Sequence, residues 1–264
     1  MSEKNPVQSA GRIFSVLEML AYEGPQGVTE LSKALKLNKS TVHRLLASLI
    51  TMDYVKKEDD SDKYRLTFKL LGLGEALLDK VDIVSIARPY IQHLAEFSEE
   101  TVHLVQKEGT NMVYIDKVES YSSSVRMVSR IGVEKPLYCT AVGKAMLAEL
   151  TNQEVRQIWE KSDIQKLTPK TIVDFDDFLR ELDEVREKGY ALDNEENELG
   201  VRCIGAVIKN YKGKAENAFS ISAPISRMSD QRIDLLATEV LKMKKELSRA
   251  FGFFRQEDRH AIDI

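Results

Sequence analysis

Leu31-Ser-Lys-Ala-Leu-Lys-Leu-Asn-Lys-Ser-Thr-Val-His-Arg-Leu-Leu-Ala-Ser-Leu49 decides how the N-terminal part of this chain folds. Leu31, Ala34, Leu35, Val42, Leu45, Leu46 and Leu49 recur at helical spacing on either side of Leu37–Lys39, so the stretch reads as two short helices around a turn, with that set buried. The other face of the second helix carries Lys39, Ser40, Thr41, His43, Arg44 and Ser48. No carboxylate occurs from Ser32 to Ser48, although 30% of the chain is charged. A basic, hydroxyl-bearing helix held against a partner by a short turn suits the DNA major groove. An ordinary surface hairpin of helices would show the same apolar spacing, and the flanking segments separate the two readings.

Upstream, Ile13, Phe14, Val16, Leu17 and Leu20 give residues 8–22 a helical face that ends at Glu23-Gly-Pro-Gln-Gly27. Thr29 is the expected N-cap of a helix over Glu30–Lys36, and Asn38 or Ser40 that of the next helix, which ends near Thr51. Downstream, Tyr54-Val-Lys-Lys57 and Lys63-Tyr-Arg-Leu66 flank the acidic tip Glu58-Asp-Asp-Ser-Asp62, as two short strands flank a turn. Three helices and a hairpin over residues 7–68 make a winged helix-turn-helix. The four acids of the tip would repel phosphates, so Lys56, Lys57, Lys63 and Arg65 on the strands are the expected backbone contacts. Residues 7–68 hold nine Lys/Arg against eight Asp/Glu, a net of +1, so DNA contact must come from a local patch.

Leu70, Leu71, Leu73, Leu77 and Leu78 mark a linker helix over 69–83. A winged helix reading a two-fold operator needs a dimer, so this stripe is expected to pair with its own copy rather than pack on its host domain. Residues 84–254 mix helices (Ser85–Ser98, Thr140–Glu149, Asn152–Glu160, Asp174–Lys188, Arg227–Phe251) with strands (Thr101–Lys107, Asn111–Val118, Ser123–Ser129, Arg202–Lys209, Glu216–Ala223). Helices flanking one antiparallel sheet give an α+β domain, followed by a tail over 255–264.

A net charge of −4 excludes a nucleic-acid coat protein. Cys139 and Cys203 have no CxxC or Cys/His ligand spacing and read as free thiols of a reducing cytoplasm. No apolar run approaches membrane-spanning length, and the first residues lack a signal-peptide core, so a cytoplasmic protein without membrane contact is expected. In Ala218-Phe-Ser-Ile-Ser-Ala223, alternation puts Phe219 and Ile221 on one face and Ser220 and Ser222 on the other, either facing solvent or binding the oxygens of a small ligand. Asp193, Glu195, Glu196 and Glu198 form an acidic run that reads as a solvated loop, with cation binding as the alternative. Leu137-Tyr-Cys-Thr-Ala-Val-Gly-Lys144 runs through small residues into a helix whose N-terminus can receive an anion, without the glycine spacing of a phosphate-binding loop. Cys203 is either a small core residue or a pocket wall. A cysteine nucleophile would need His43, His93, His103 or His260, and none stands in a catalytic motif. Neither an enzyme, a cofactor nor a metal site is expected.

These residues resemble the IclR family of bacterial transcriptional regulators over about residues 7–252. The resemblance rests on Leu37-Asn-Lys-Ser-Thr-Val-His-Arg-Leu-Leu46, Tyr64-Arg-Leu66, Tyr114-Ile-Asp-Lys-Val118 and Thr140-Ala-Val-Gly-Lys-Ala145. It continues through Gly189-Tyr190, Asp193-Asn-Glu-Glu196, Gly200-Val-Arg-Cys203-Ile204, Ser220-Ile-Ser222 and Pro224. It implies an N-terminal winged helix, a pairing linker helix, a C-terminal GAF-like α/β effector-binding domain, and homodimers that associate into tetramers. Arg126-Met-Val-Ser-Arg-Ile-Gly132, Pro136-Leu-Tyr-Cys139 and Val201-Arg-Cys-Ile204 look most like the KdgR group, regulators of 2-keto-3-deoxygluconate metabolism. Ile204-Gly-Ala-Val-Ile-Lys-Asn210 departs from the family's proline-containing Ala-x-Pro-Val strand. Carried over by residue, the resemblance implicates Ala141, Val142, Asp193, Cys203, Ser220 and Ser222 in binding a small carboxylate effector, with Asp193 suited to a ligand hydroxyl. Arg126, Arg130 or Arg202 would supply the countercharge. The resulting expectation is a repressor of a sugar-acid catabolic operon that binds double-stranded operator DNA. An enzyme acting on a keto acid and a protein-interaction adaptor are the alternatives.

Overall fold

The computed structural model describes residues 7–119 and 129–254, and these fall into two compact units that divide between Val81 and Asp82. The expected strand over Ser123–Ser129, the Arg126 candidate, His260 and the tail from 255 lie outside the described residues, apart from Ser129 itself.

In the first unit α1 (Gln8–Tyr22) leads into a two-residue strand β1 (Gln26–Gly27), then α2 (Val28–Ala34) and α3 (Lys39–Thr51). The hairpin of β2 (Val55–Lys57) and β3 (Lys63–Leu66) follows, and α4 (Lys69–Leu78) closes the unit. Strand β3 is the centre of a small antiparallel sheet ordered β1-β3-β2. Val16, Leu20, Leu31, Leu35, Val42, Leu45, Leu46, Leu49 and Val55 form the core. Six of the seven expected helix residues are therefore buried, but Ala34, the last residue of α2, is exposed. The cap of α2 is also not Thr29: Gly27 holds the N-cap position and its amide donates to Glu30 Oε2 at 2.7 Å. Helix α4 buries nothing, and Phe68, Leu71, Leu73, Leu77 and Leu78 are all exposed.

The second unit is a six-stranded antiparallel sheet between two helical layers. Helix α5 (Ile83–Ser98) precedes the hairpin β4 (Thr101–Glu108) and β5 (Asn111–Val118), with an edge strand β6 (Glu134–Pro136). Helices α6 (Ala141–Ala148), α7 (Asn152–Lys161) and α8 (Phe175–Lys188) follow, then β7 (Ala191–Asn194), β8 (Val201–Ile208), β9 (Asn217–Pro224), a single 3-10 turn at Ile225–Arg227, and α9 (Asp230–Ala250). The sheet order is β6-β5-β4-β9-β8-β7. Strand alternation sends Leu104, Ile204, Ala206, Phe219 and Ile221 to the layer of α5 and α9. It sends Val105, Val207 and Ala218 to the layer of α6 and α8. Strand β9 is not the half-exposed strand that its serines allow, since Ser220 and Ser222 are both buried.

Candidate nucleic-acid interface and ligand cavity

Helix α3 is fixed by Val42, Leu45, Leu46 and Leu49, which leaves Lys39, Ser40, His43 and Arg44 exposed and Thr41 half-buried. The turn before it is tight. Lys36 adopts a left-handed φ of 51°, the Leu37 amide donates to Ser32 O at 3.1 Å, and Ser32 Oγ donates to Leu37 O at 2.6 Å. Asn38 sits at the N-cap without a side-chain cap bond, and the first turn of α3 holds no acid, so its free amides add to the positive end of the helix.

The wing sorts its cations. Lys57 is paired with Asp62 at 2.6 Å and Lys63 lies 3.9 Å from Glu30. Lys56 and Arg65 face each other across the ladder, both exposed, and among the described residues neither has an ion-pair partner. Lys39 and Arg44 on α3 are likewise exposed and, among the described residues, without an ion-pair partner.

In the second unit Ala141, Val142, Asp193, Cys203, Ser220 and Ser222, drawn from four elements, line one cavity of about 240 Å³. Register brings them together. Asp193 pairs with Cys203 and Cys203 with Ser222 in one rung, while Gly205 pairs with Ser220 and Ser220 with His103 in the next rung on the same face. The start of helix α6 lies close against this floor, and two glycines permit the local packing. A Cβ on Gly205 would lie 3.2 Å from the Val142 amide nitrogen, and one on Gly143 only 2.1 Å from Leu137 O. Thr140 caps the helix by accepting from the Gly143 amide at 3.2 Å.

His103 and Tyr114 also line the cavity, their rings 4.8 Å apart. His103 Nε2 bonds Ser129 Oγ at 2.7 Å and its Nδ1 lies 3.3 Å from Ser222 Oγ. Neither residue carried a sequence signal as a pocket wall; each is an ordinary strand residue until the register is known. Burial, with a smaller push from Lys117, lowers the His103 pKa to about 3. Burial drives the Cys203 thiol far above its ordinary value, and Asp193 adds to the rise. With the imidazole made a weaker base and the thiol a weaker acid, proton transfer from Cys203 to His103 is unfavourable, although the fold brings the two residues into one cavity.

The acidic run is solvated only in part, with Glu198 exposed, Glu195 half-buried and the other two acids buried. Asp193 and Glu196 are 2% and 5% exposed. The Glu196 and Asn197 amides donate to Asp193 Oδ1 at 2.8 and 3.3 Å. Burial first, then the neighbouring Glu196, raises the Asp193 pKa to about 7. Glu196 meets Lys144, itself fully buried, at 2.5 Å, and Lys144 also reaches Glu181 on α8 at 2.7 Å. Burial opposes the charge on Lys144, yet Glu196 and Glu181 outweigh it and hold its pKa above the ordinary value. Glu195 is taken by Lys170. Among the described residues no group of three or more His, Cys, Asp or Glu is placed to hold a metal.

Of the expected countercharges, Arg130 lines the cavity but is exposed. Arg202 is turned away, donating to Met228 O at 2.7 Å and pairing with Asp230 at 2.8 Å.

Residues 9–59 match the IclR helix-turn-helix domain, and residues 75–249 match the bacterial transcriptional regulator IclR C-terminal domain. The chain is 38% identical to the HTH-type transcriptional regulator KdgR of Escherichia coli over 253 residues, 95% of this chain and 96% of that protein. It is 32% identical to the HTH-type transcriptional repressor AllR of the same organism, over 93% of this chain and 90% of that one. The crystal structure of the Agobacterium tumefaciens repressor BlcR superposes with a TM-score of 0.77 at 29% identity, covering 95% of this chain and 99% of that chain.

Proposed function

As the chain belongs to the IclR family of bacterial transcriptional regulators, we propose that it represses a sugar-acid catabolic operon and releases its operator when a small carboxylate, 2-keto-3-deoxygluconate or a close relative, fills the cavity of the second unit. The observation that carries this reading is that the six residues implicated by the family resemblance line one cavity. At about 240 Å³ the cavity lies just below the 300–1,000 Å³ usual for ligand pockets, which favours a compact ligand. Its polar lining suits such an acid: free amides at the start of α6, the hydroxyls of Ser220 and Ser222, and Asp193. Lys39, Ser40, Thr41, His43 and Arg44 of α3 would read the major groove, and Lys56, Lys63 and Arg65 of the wing would hold the backbone.

Two copies would pair through the exposed leucine stripe of α4 and so present two recognition helices to a two-fold operator, with dimers of dimers as a further assembly. The effector would act by binding one arrangement of the dimer better than the other. No described helix is long and apolar enough to cross a membrane, in keeping with work in the cytoplasm.

The test is a mobility-shift titration of the full chain on DNA upstream of its own and neighbouring genes, at several salt concentrations, with a panel of sugar-derived acids. Salt-sensitive binding that 2-keto-3-deoxygluconate or a close relative abolishes is the expected result. Binding that no acid alters would refute the effector, and no salt-sensitive binding at all would favour the adaptor reading.

A further inference from the structure

The cavity contains an acid where a carboxylate ligand would want a base. Asp193 lies on its floor, 2% exposed, with one carboxylate oxygen already engaged by two backbone amides. The ionisable groups facing it are Glu196 and Glu198 from its own loop, Lys144 from α6, Cys203 from β8, Tyr114 from β5 and His103 from β4. Strand β9 contributes only the uncharged Ser220 and Ser222. Lys144 does not neutralise Asp193, because it is shared between Glu196 and Glu181 and that cluster already carries one excess negative charge. His103 is held neutral by burial, so it offers no countercharge. The two lining cations, exposed Arg130 and half-buried Lys135, lie toward solvent rather than on the buried floor.

A ligand carboxylate set on the start of α6 would therefore meet Asp193 with no fixed cation between them. Two carboxyl groups in one small buried site cannot both be ionised, and they resolve the conflict by sharing a proton. We propose that this site takes its carboxylate effector together with one proton, held on Asp193, whose O–H then donates to the ligand. The inference rests on the effector reading above and changes one part of it: Asp193 meets the ligand's acid group rather than a hydroxyl. Burial and Glu196 bring the free carboxyl to a pKa of about 7, so the proton is half in place before the ligand arrives.

No covalent step is involved; a proton moves from solvent to Asp193. Above neutral pH, binding must recruit that proton and affinity falls. Below it, the proton is already present and affinity levels off.

The experiment is calorimetric titration of the full chain with 2-keto-3-deoxygluconate, in buffers of different ionisation enthalpy, at pH 6, 7 and 8. The expected weakening between pH 6 and pH 8 is about tenfold, with uptake approaching one proton at pH 8 and close to none at pH 6. In Asp193→Asn both the pH dependence and the proton uptake should vanish, whatever affinity remains. Affinity that stays flat or tightens as pH rises, without uptake, overturns the inference and leaves the effector assignment standing. Uptake that persists in Asp193→Asn places the proton elsewhere and also overturns it. No binding at any pH removes the effector assignment and this inference together.

Discussion

Lys144 lies between two carboxylates in the second unit's interior, and its removal has a calculable consequence. Lys144→Met keeps most of the side-chain volume and deletes the charge. Glu181 is 27% exposed at its side chain and can turn to water; Glu196 is 7% exposed and cannot. One Glu196 oxygen, Oε2, already lacks a hydrogen-bond partner, so loss of Lys144 leaves the carboxylate held only by the Asn194 amide at 3.4 Å. Breaking a buried pair from one side costs about 3–5 kcal/mol, whereas replacing both partners together is often close to neutral. Lys144→Met should lose that amount, and Lys144→Met with Glu196→Gln should regain at least about 2 kcal/mol of it.

The chain's single tryptophan reports the result directly. Trp159 packs against Tyr138, Phe175 and Phe178 within this unit, so urea unfolding followed by its fluorescence measures the stability of the affected body. The deficit should also shrink on acidification. Glu196 already has a raised pKa through burial, and a protonated Glu196 no longer needs the lysine. A single variant that loses less than about 1 kcal/mol, or a double variant as unstable as the single, would refute the reasoning.

Gly143→Ala places a Cβ 2.1 Å from Leu137 O, a backbone atom that cannot swing aside, so α6 must shift and the unit should lose about 3 kcal/mol or more; an unchanged melting temperature would contradict this. The Asp193 pKa is raised in the folded state, so its stabilising effect is complete below the unfolded value of about 3.9 and is lost as pH rises to about 7. Asp193→Asn should remove this drift, which amounts to roughly 4 kcal/mol at most, as read from denaturation at pH 4 and pH 8. Arg44→Ala should weaken operator binding by about 1–3 kcal/mol, and a lost phosphate contact would also lower the salt slope by about one; full affinity in filter binding would remove Arg44 from the interface. Leu77→Glu puts a charge on the α4 stripe and should shift the sedimentation coefficient toward that of a monomer.

The helix-turn-helix was legible because its information is local. Helical spacing named Leu31, Leu35, Val42, Leu45, Leu46 and Leu49 correctly, while the terminal Ala34 and, on α1, the exposed Phe14 broke the pattern. The core strands β4, β5, β8 and β9 were likewise readable from their apolar runs, whereas the short β1, β6 and β7 lack the turn between paired runs that marks the equally short β2 and β3. The solvated reading of the acidic run fails at Asp193 and Glu196 for a different reason. Whether a carboxylate is solvated or buried depends on its partner, and Lys144 stands 52 positions from Glu196. His103 and Tyr114 join the cavity only through strand pairing, which composition does not encode. The six residues carried over by resemblance do line the cavity, but periodicity alone had left Ser220 and Ser222 undecided between ligand and solvent.

The floor of the cavity is written across strands, one residue per strand per rung: Asp193, Cys203 and Ser222 in one, Gly205, Ser220 and His103 in the next. Side chains alternate along each strand, so a one-residue slip of β8 against β9 would turn Cys203 and Gly205 into the opposite core and Ile204 into the cavity. Insertions within these strands therefore destroy pocket and core at once, whereas the turn between Ile208 and Asn217 can lengthen without disturbing either. A lineage carrying this sheet can acquire a new ligand by exchanging single rung residues, while the length of its strands stays frozen.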